Sequence, residues 1–272
     1  MFGVTILGNN SALSMHGRHQ TAQVVTIDNH LFLVDCGEST QIQMQRYKIR
    51  KSKIDHIFIS HLHGDHYYGL PGLLNTYGLT NRVDPLHLYA VPELKEIIEL
   101  QLRVSDSAFG FEFIFHPITE TAVLLELPGV TVSCFPVSHR IPCWGFLFRS
   151  AEKSERVKDD KTVRASLPSM SYAFCADTKY DESIIPAINN ADLIYHESTY
   201  LDDQTEKASA RFHCTSSQAA MIAKKSGGKR LLLGHFSSKY EDISAFEIEA
   251  RNTFMNTEVS REGVTYLISP VI

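Results

Sequence analysis

Six residues, His61-Leu62-His63-Gly64-Asp65-His66, constrain this chain more than any other stretch of it. They follow a short apolar run, Ile54-Asp55-His56-Ile57-Phe58-Ile59-Ser60, that reads as a strand delivering the chain into a loop. Residues two apart on an extended segment point the same way, so His61 and His63 can offer two imidazoles to one cation. Asp65 and His66 then offer a carboxylate and an imidazole to a second cation nearby, and Gly64 lets the loop turn tightly. A lone loop histidine is ordinarily incidental, but four ligand-type side chains in six residues at the end of a strand point to metal binding. Neutral imidazole and carboxylate suit zinc, with manganese or iron as alternatives.

The remaining composition bounds the setting. A chain of 272 residues with 43% apolar and 21% charged residues can bury a large single core. The five cysteines are dispersed and form no C-x-x-C pair, which predicts reduced thiols in a cytosolic compartment and removes cysteine from the metal site. The first residues have no basic leader, and no apolar run is long enough to span a bilayer, so a soluble cytoplasmic protein is expected. Net charge is −5 with histidines neutral, so any polyanionic partner must be met by a local basic patch.

Along the chain, strands are expected at 4–7, 22–27, 31–35, 54–60, 86–90, 172–176, 192–196, 230–233 and 264–268, with about four more between 112 and 148. Helices are expected at 38–47, from 69 onward, 92–103, near 181–188, 215–225 and 243–254. Strands and helices alternate in two halves, which predicts two mixed sheets packed face to face with helices outside, a four-layer αββα sandwich. The one compositional break is 152–164, charged and nearly free of large apolar groups, read as a solvated loop or extended hairpin.

At this point the motifs resemble a family. The H-x-H-x-D-H run followed by Gly69-Leu70-Pro71-Gly72-Leu73 resembles the metallo-β-lactamase superfamily and, within it, ribonuclease Z, the tRNA 3′-processing endonuclease. Val34-Asp35-Cys36-Gly37 is similar to its first motif, Ser138-His139 to its third, Ala176-Asp177-Thr178 to its fourth and Gly234-His235-Phe236-Ser237 to its fifth. The resemblance implies two divalent ions, one held by His61, His63 and His139, the other by Asp65, His66 and His235, with Asp177 bridging and Asp35 orienting the loop. Taken singly, Asp35 also fits a turn, Asp177 a helix cap, and His139 and His235 unremarkable strand ends.

His196-Glu197-Ser198-Thr199 resembles the family's HEAT motif, and His213-Cys214-Thr215 its HST motif. By resemblance Glu197 orients His213, and His213 protonates the leaving 3′-oxygen when a hydroxide bridging the ions attacks phosphorus; Asp65 is a ligand and a candidate base. The implied substrate is precursor tRNA, the alternative another RNA or a small phosphodiester, and the implied assembly is a homodimer.

Two departures stand out. The family's glycine- and proline-rich arm between the third and fourth motifs is replaced by a short charged loop over 151–171. The P-x-K-x-R-N motif near the N-terminus appears as Ser14-Met15-His16-Gly17-Arg18-His19, keeping only Arg18 in place. Arg46, Lys48, Arg50, Lys51 and Lys53, just before the strand that feeds the metal loop, are candidate phosphate contacts or the solvated end of a helix.

Overall fold

A computed structural model describes residues 1–154 and 166–269. The first half runs β1 (Phe2–Gly8), β2 (Asn10–Ser11), β3 (Ala22–Ile27), β4 (His30–Cys36), α1 (Thr40–Arg46), β5 (Ile54–Phe58), α2 (Gly64–Tyr67), α3 (Leu70–Leu79), β6 (Leu86–Ala90), α4 (Glu93–Val104) and β7 (Phe113–Pro117). The second opens with β8 (Val123–Leu127), β9 (Val130–Pro136), β10 (Trp144–Ser150), β11 (Lys153–Ser154), β12 (Ser166–Leu167), β13 (Ser171–Cys175) and β14 (Leu193–Glu197). It closes with α5 (Thr205–Ala210), α6 (Ser216–Lys225), β15 (Leu231–Gly234), β16 (Phe236–Ser237), α7 (Ser244–Arg251), β17 (Thr257–Val259) and β18 (Thr265–Leu267).

Two seven-stranded mixed sheets result, ordered β18-β1-β3-β4-β5-β6-β7 and β17-β15-β14-β13-β10-β9-β8. Alternation along each strand sends one set of side chains inward and the other toward a helix. Phe32, Phe58 and Tyr89 of the first sheet meet Phe146, Phe148 and Phe174 of the second in one core. Phe58 stacks on Tyr89 at 4.5 Å between centroids and meets Phe146 and Phe148 at 5.5 Å each. The outer faces are closed separately. Leu33, Ile57 and Leu88 pack under α1, α3 and α4, while Ile194, Leu231 and Leu233 pack under α6 and α7. The four-layer αββα arrangement is therefore the fold.

Several elements differ from the sequence-based expectation for local reasons. The helix expected near 181–188 is only a 3₁₀ turn, Glu182–Ile184, capped by Asp181 accepting from the Ser183 amide at 2.9 Å. Pro186 lacks an amide hydrogen and leaves one bond of the ladder unmade, and the chain continues as turns, with the Ala187 amide donating to the Ile184 carbonyl at 3.0 Å. Gly64 opens α2 rather than a tight turn; an added Cβ would meet the Tyr68 ring at 2.2 Å, so the requirement is space. Gly69 is held more strictly still, since a Cβ there would lie 2.1 Å from the Gly37 carbonyl oxygen. In the charged 151–171 stretch, β11 and β12 pair antiparallel. Its basic residues Arg156, Lys158, Lys161 and Arg164 lie outside the described residues. All five cysteines are free and buried, and no described helix is long and apolar enough to cross a membrane.

Candidate metal centre and its acid–base pair

The strands β4, β5, β6 and β7 run parallel, as do β13, β14, β15 and β17, so their C-terminal ends gather on one rim of the sandwich. Every site residue expected from the H-x-H-x-D-H run and the remote motifs stands on that rim. β4 ends beside Asp35, β5 leads into His61 and His63, and α2 carries Asp65 and His66. β13 leads to Asp177, β14 ends at Glu197, and β15 leads to His235. His139 lies in the loop from β9 to β10, where the Ser138 amide donates to Thr178 Oγ1 at 3.1 Å and the Lys179 amide to the Ser138 carbonyl at 2.9 Å.

Two ligand groups form. One holds His61, His63, His139 and Asp177, the other Asp65, His66 and His235, with ligand atoms in each lying within 4.8 Å of one another. Asp177 faces both. Its Oδ1 lies 3.3 Å from His66 Nε2 and 3.2 Å from His235 Nε2, while its Oδ2 lies 3.7 Å from His61 Nε2 and 4.0 Å from His139 Nε2.

Three of the inward nitrogens, on His66, His139 and His235, are freed by a partner on the other side of the ring. His66 Nδ1 lies 2.6 Å from Asp35 Oδ2, which leaves Nε2 for the site. Asp35 is fully buried and also accepts from the Ser60 amide at 2.7 Å and the Ser60 hydroxyl at 2.9 Å. His139 Nδ1 donates to the Phe212 carbonyl at 3.1 Å, and His235 Nδ1 donates to Thr199 Oγ1 at 2.9 Å. The backbone bends to achieve this: Asp35, Phe212 and His235 all take left-handed conformations, with φ of 57°, 59° and 59°.

The donor set fits divalent cations. His63 Nδ1 lies 3.0 Å from both His61 Nε2 and His139 Nε2, three nitrogen lone pairs converging where a single proton could serve only one pair. Asp177 Oδ1 is buried without a hydrogen-bond partner. The field says the same: burial opposes charge on His66, yet Asp177, Asp35 and Asp65 together hold its pKa well above the usual range. Burial first, then the neighbouring His66, hold His61 well below it. The cluster thus calls for positive charge shared among ligands rather than for protons on all of them.

Beside it stands the second constellation. His213 Nδ1 donates to Glu197 Oε1 at 2.8 Å, and the ring stacks 5.4 Å from His235. Glu197 is fully buried and also accepts from the Thr178 amide at 3.1 Å, the Thr199 amide at 3.0 Å and the Thr199 hydroxyl at 2.8 Å. Burial works against the imidazolium, but Glu197 overcomes it and pushes the His213 pKa up to about 9. His213 also stands within ligand distance of Asp177 and His235. With Nδ1 committed to Glu197, Nε2 is the nitrogen left for the site. A capping box, Thr215 with Gln218, starts α6 two residues later and anchors this turn.

Other sequence expectations land elsewhere. Arg18 is engaged internally, donating to Asn10 Oδ1 at 3.0 Å and to the carbonyls of Glu241 and Tyr240, so its guanidinium ties loops together rather than facing a ligand. Arg46, Lys48, Arg50, Lys51 and Lys53 precede the N-terminal end of β5, the rim opposite the metal ligands, and are not brought to the site. His196 is buried, its Nδ1 donating to the Glu197 carbonyl at 2.7 Å. Thr199 joins Glu197 to His235; its place in the HEAT-like motif gave no sign of that second contact.

Residues 2–258 match the family model described as Anti-Pycsar protein Apyc1. A ribonuclease Z from Bacteroides fragilis is 35% identical, the match covering 97% of this chain and 98% of the relative. A ribonuclease Z from Cytophaga hutchinsonii is 39% identical, covering 98% and 96%. The chain belongs to the ribonuclease Z family. Human tRNase Z, short form, superposes with a TM-score of 0.80 at 27% identity, covering 99% of this chain and all of that one. The Bacillus subtilis metallo-β-lactamase fold protein YhfI superposes at 0.78 with 20% identity, a likeness of fold. As a ribonuclease Z relative with a clustered His/Asp site, the chain is a metal-dependent hydrolase.

Proposed function

We propose that this chain is an endoribonuclease that removes the 3′ trailer from precursor tRNA. The observation that carries the reading is the buried Glu197–His213 pair set against the metal cluster, a proton donor aimed where an alkoxide must leave. Full-length similarity to ribonucleases Z supplies the substrate.

His61, His63 and His139 would hold one cation, Asp65, His66 and His235 the other, and Asp177 would offer one oxygen to each. Zinc suits this donor set best. Divalent ions there supply electrophilic charge to the phosphoryl oxygens and lower the pKa of the attacking water. Asp65 Oδ2 accepts from the Ala12 amide at 2.7 Å, and a carboxylate so held supports the ligand role over that of a mobile base. His213, protonated and oriented by Glu197, gives its Nε2 proton to the departing 3′-oxygen. The products are a 3′-hydroxyl on the tRNA body and a 5′-phosphate on the trailer.

We further propose a cytoplasmic homodimer in which the short charged segment at 151–171 stands in place of the longer arm. The cytoplasmic assignment rests on the tRNA substrate and the five free thiols. A second reading, a phosphodiesterase acting on another RNA or a small ester, is favoured by the shortness of that segment and by the different description of the matching family model. Incubating metal-loaded protein with a trailer-bearing precursor tRNA and with bis-p-nitrophenyl phosphate separates them. Trimming to a defined 3′ end is expected; hydrolysis of the small ester alone would remove tRNA as the substrate. Sedimentation velocity tests the dimer.

A further inference from the structure

A cavity of about 560 Å³ opens beside His213, between the turn that carries it, the residues after β16, and the loop after β9. Its volume falls in the roughly 300–1,000 Å³ range that receives small ligands. Arg140, immediately after His139, and Arg211, two residues before His213, line it together with Tyr200 and Ser237. Both arginines are exposed, and neither side chain has an ion-pair or hydrogen-bond partner among the described residues. In a chain of net charge −5, two guanidiniums without a partner among the described residues place positive charge at the mouth of a carboxylate-bearing site.

The place of the cavity gives it a direction. His213 lines it and also faces the metal cluster, so the cavity lies on the side from which the leaving oxygen departs. An in-line displacement puts the nucleoside that owns that 3′-oxygen on this side. That nucleoside carries a second phosphate on its own 5′-oxygen, and guanidinium is the side chain that meets phosphate with two parallel hydrogen bonds.

Resting on the phosphodiesterase reading of the site, we propose that this cavity is the subsite for the nucleoside on the leaving side of the scissile bond, and that Arg140 and Arg211 bind the phosphate on its 5′ side. The subsite recognises a nucleotide phosphorylated at both ends. It distinguishes an internal RNA linkage from a simple diester, which has no second phosphate to offer. A shortened arm need not deprive the enzyme of all grip on RNA, because part of that grip is beside the reaction centre.

Calorimetric titration of the metal-loaded protein with adenosine 3′,5′-bisphosphate and with adenosine 3′-monophosphate tests this without turnover. Both place a phosphate at the scissile position; only the first offers one to the arginines. The wild type is expected to bind the bisphosphate about tenfold tighter or more, the size of charge-assisted contacts. Arg140→Gln and Arg211→Gln should each shrink that ratio, the double variant should bring it to within about twofold, and Arg140→Lys should restore part of it. Metal content, measured by mass spectrometry, checks that the variants are intact. A wild-type ratio near one, or a ratio that survives the double substitution, overturns the proposal. Precursor tRNA left uncut would instead count against the tRNA reading, with the bisphosphate ratio still deciding the cavity.

Discussion

Glu197 Oε1 and His213 Nδ1 lie 2.8 Å apart, with the carboxylate fully buried and three further hydrogen bonds holding it in place. A carboxylate so fixed sets both the direction in which the imidazole points and the proton it carries. The pair belongs to the leaving side of the reaction, and its worth depends on how much help the leaving group needs.

His213→Ala should therefore lower turnover of precursor tRNA by a factor of about 10²–10⁴. The same variant should lose far less on bis-p-nitrophenyl phosphate, whose departing phenolate is already stable. Steady-state kinetics on the two substrates, with metal content measured alongside, checks this. Equal losses on both would show that His213 does not act as the acid.

The pH profile carries the sign of the Glu197 effect. His213 is pushed up to about 9 chiefly because Glu197 outweighs burial, so the acid is protonated at neutral pH and activity falls as pH rises through its pKa. Cations bound nearby draw that value down in the loaded enzyme, so the difference between variants is the quantity to measure. Glu197→Gln removes the negative charge, destabilises the imidazolium, and should move the alkaline limb to lower pH. An alkaline limb that stays in place would exclude Glu197 as its cause.

Thr199 donates its hydroxyl hydrogen to Glu197 at 2.8 Å and accepts from His235 Nδ1 at 2.9 Å, one side chain serving both constellations. Thr199→Val should weaken metal binding by about 10–100-fold, as loss of an outer partner of a ligating histidine usually does. Thr199→Ser should retain most of the affinity. Competition against a chromogenic chelator reads both.

Away from the site, His56, His87 and His116 line up across β5, β6 and β7, with His56 stacked on His87 at 4.7 Å and His87 Nδ1 2.9 Å from His116 Nε2. Burial and then its two neighbours lower the His56 pKa to about 4. The unfolded chain binds this proton near pH 6.5 while the folded one does not, so stability rises with pH between about 4 and 6.5 and is lost on acidification through that window. His56→Gln should flatten the dependence of Tm on pH there. A slope identical to the wild type would place the acid sensitivity in other groups.

Much of this was legible in the sequence because it is local. Ala22–Ile27 and Leu86–Ala90 match their expected spans, and the run from β5 into His61 announces itself by composition and density of ligands. His139, Asp177 and His235 each look ordinary alone; they converge because parallel strands bring distant C-terminal ends to one rim, which only resemblance to a family could anticipate. Arg140 and Arg211 carry no signal at all, being two arginines among many that only the folded surface brings to one cavity. Conversely, the basic group from Arg46 to Lys53 looked close to the metal loop in sequence, yet a strand's length puts it on the opposite rim.

The left-handed backbone at Phe212 has a consequence for how this region can vary. Glycine would adopt that conformation freely, and the carbonyl that accepts from His139 would survive the change. What glycine could not keep is the ring, which lies edge-on to His139 at 6.4 Å and beneath the Lys179 ammonium at 5.6 Å. A bulky residue there trades backbone comfort for a wall beside a metal-facing imidazole. Substitutions that ease folding at this turn are thus the ones expected to loosen the site, so position 212 should tolerate little drift even though its hydrogen bond to His139 comes from the main chain.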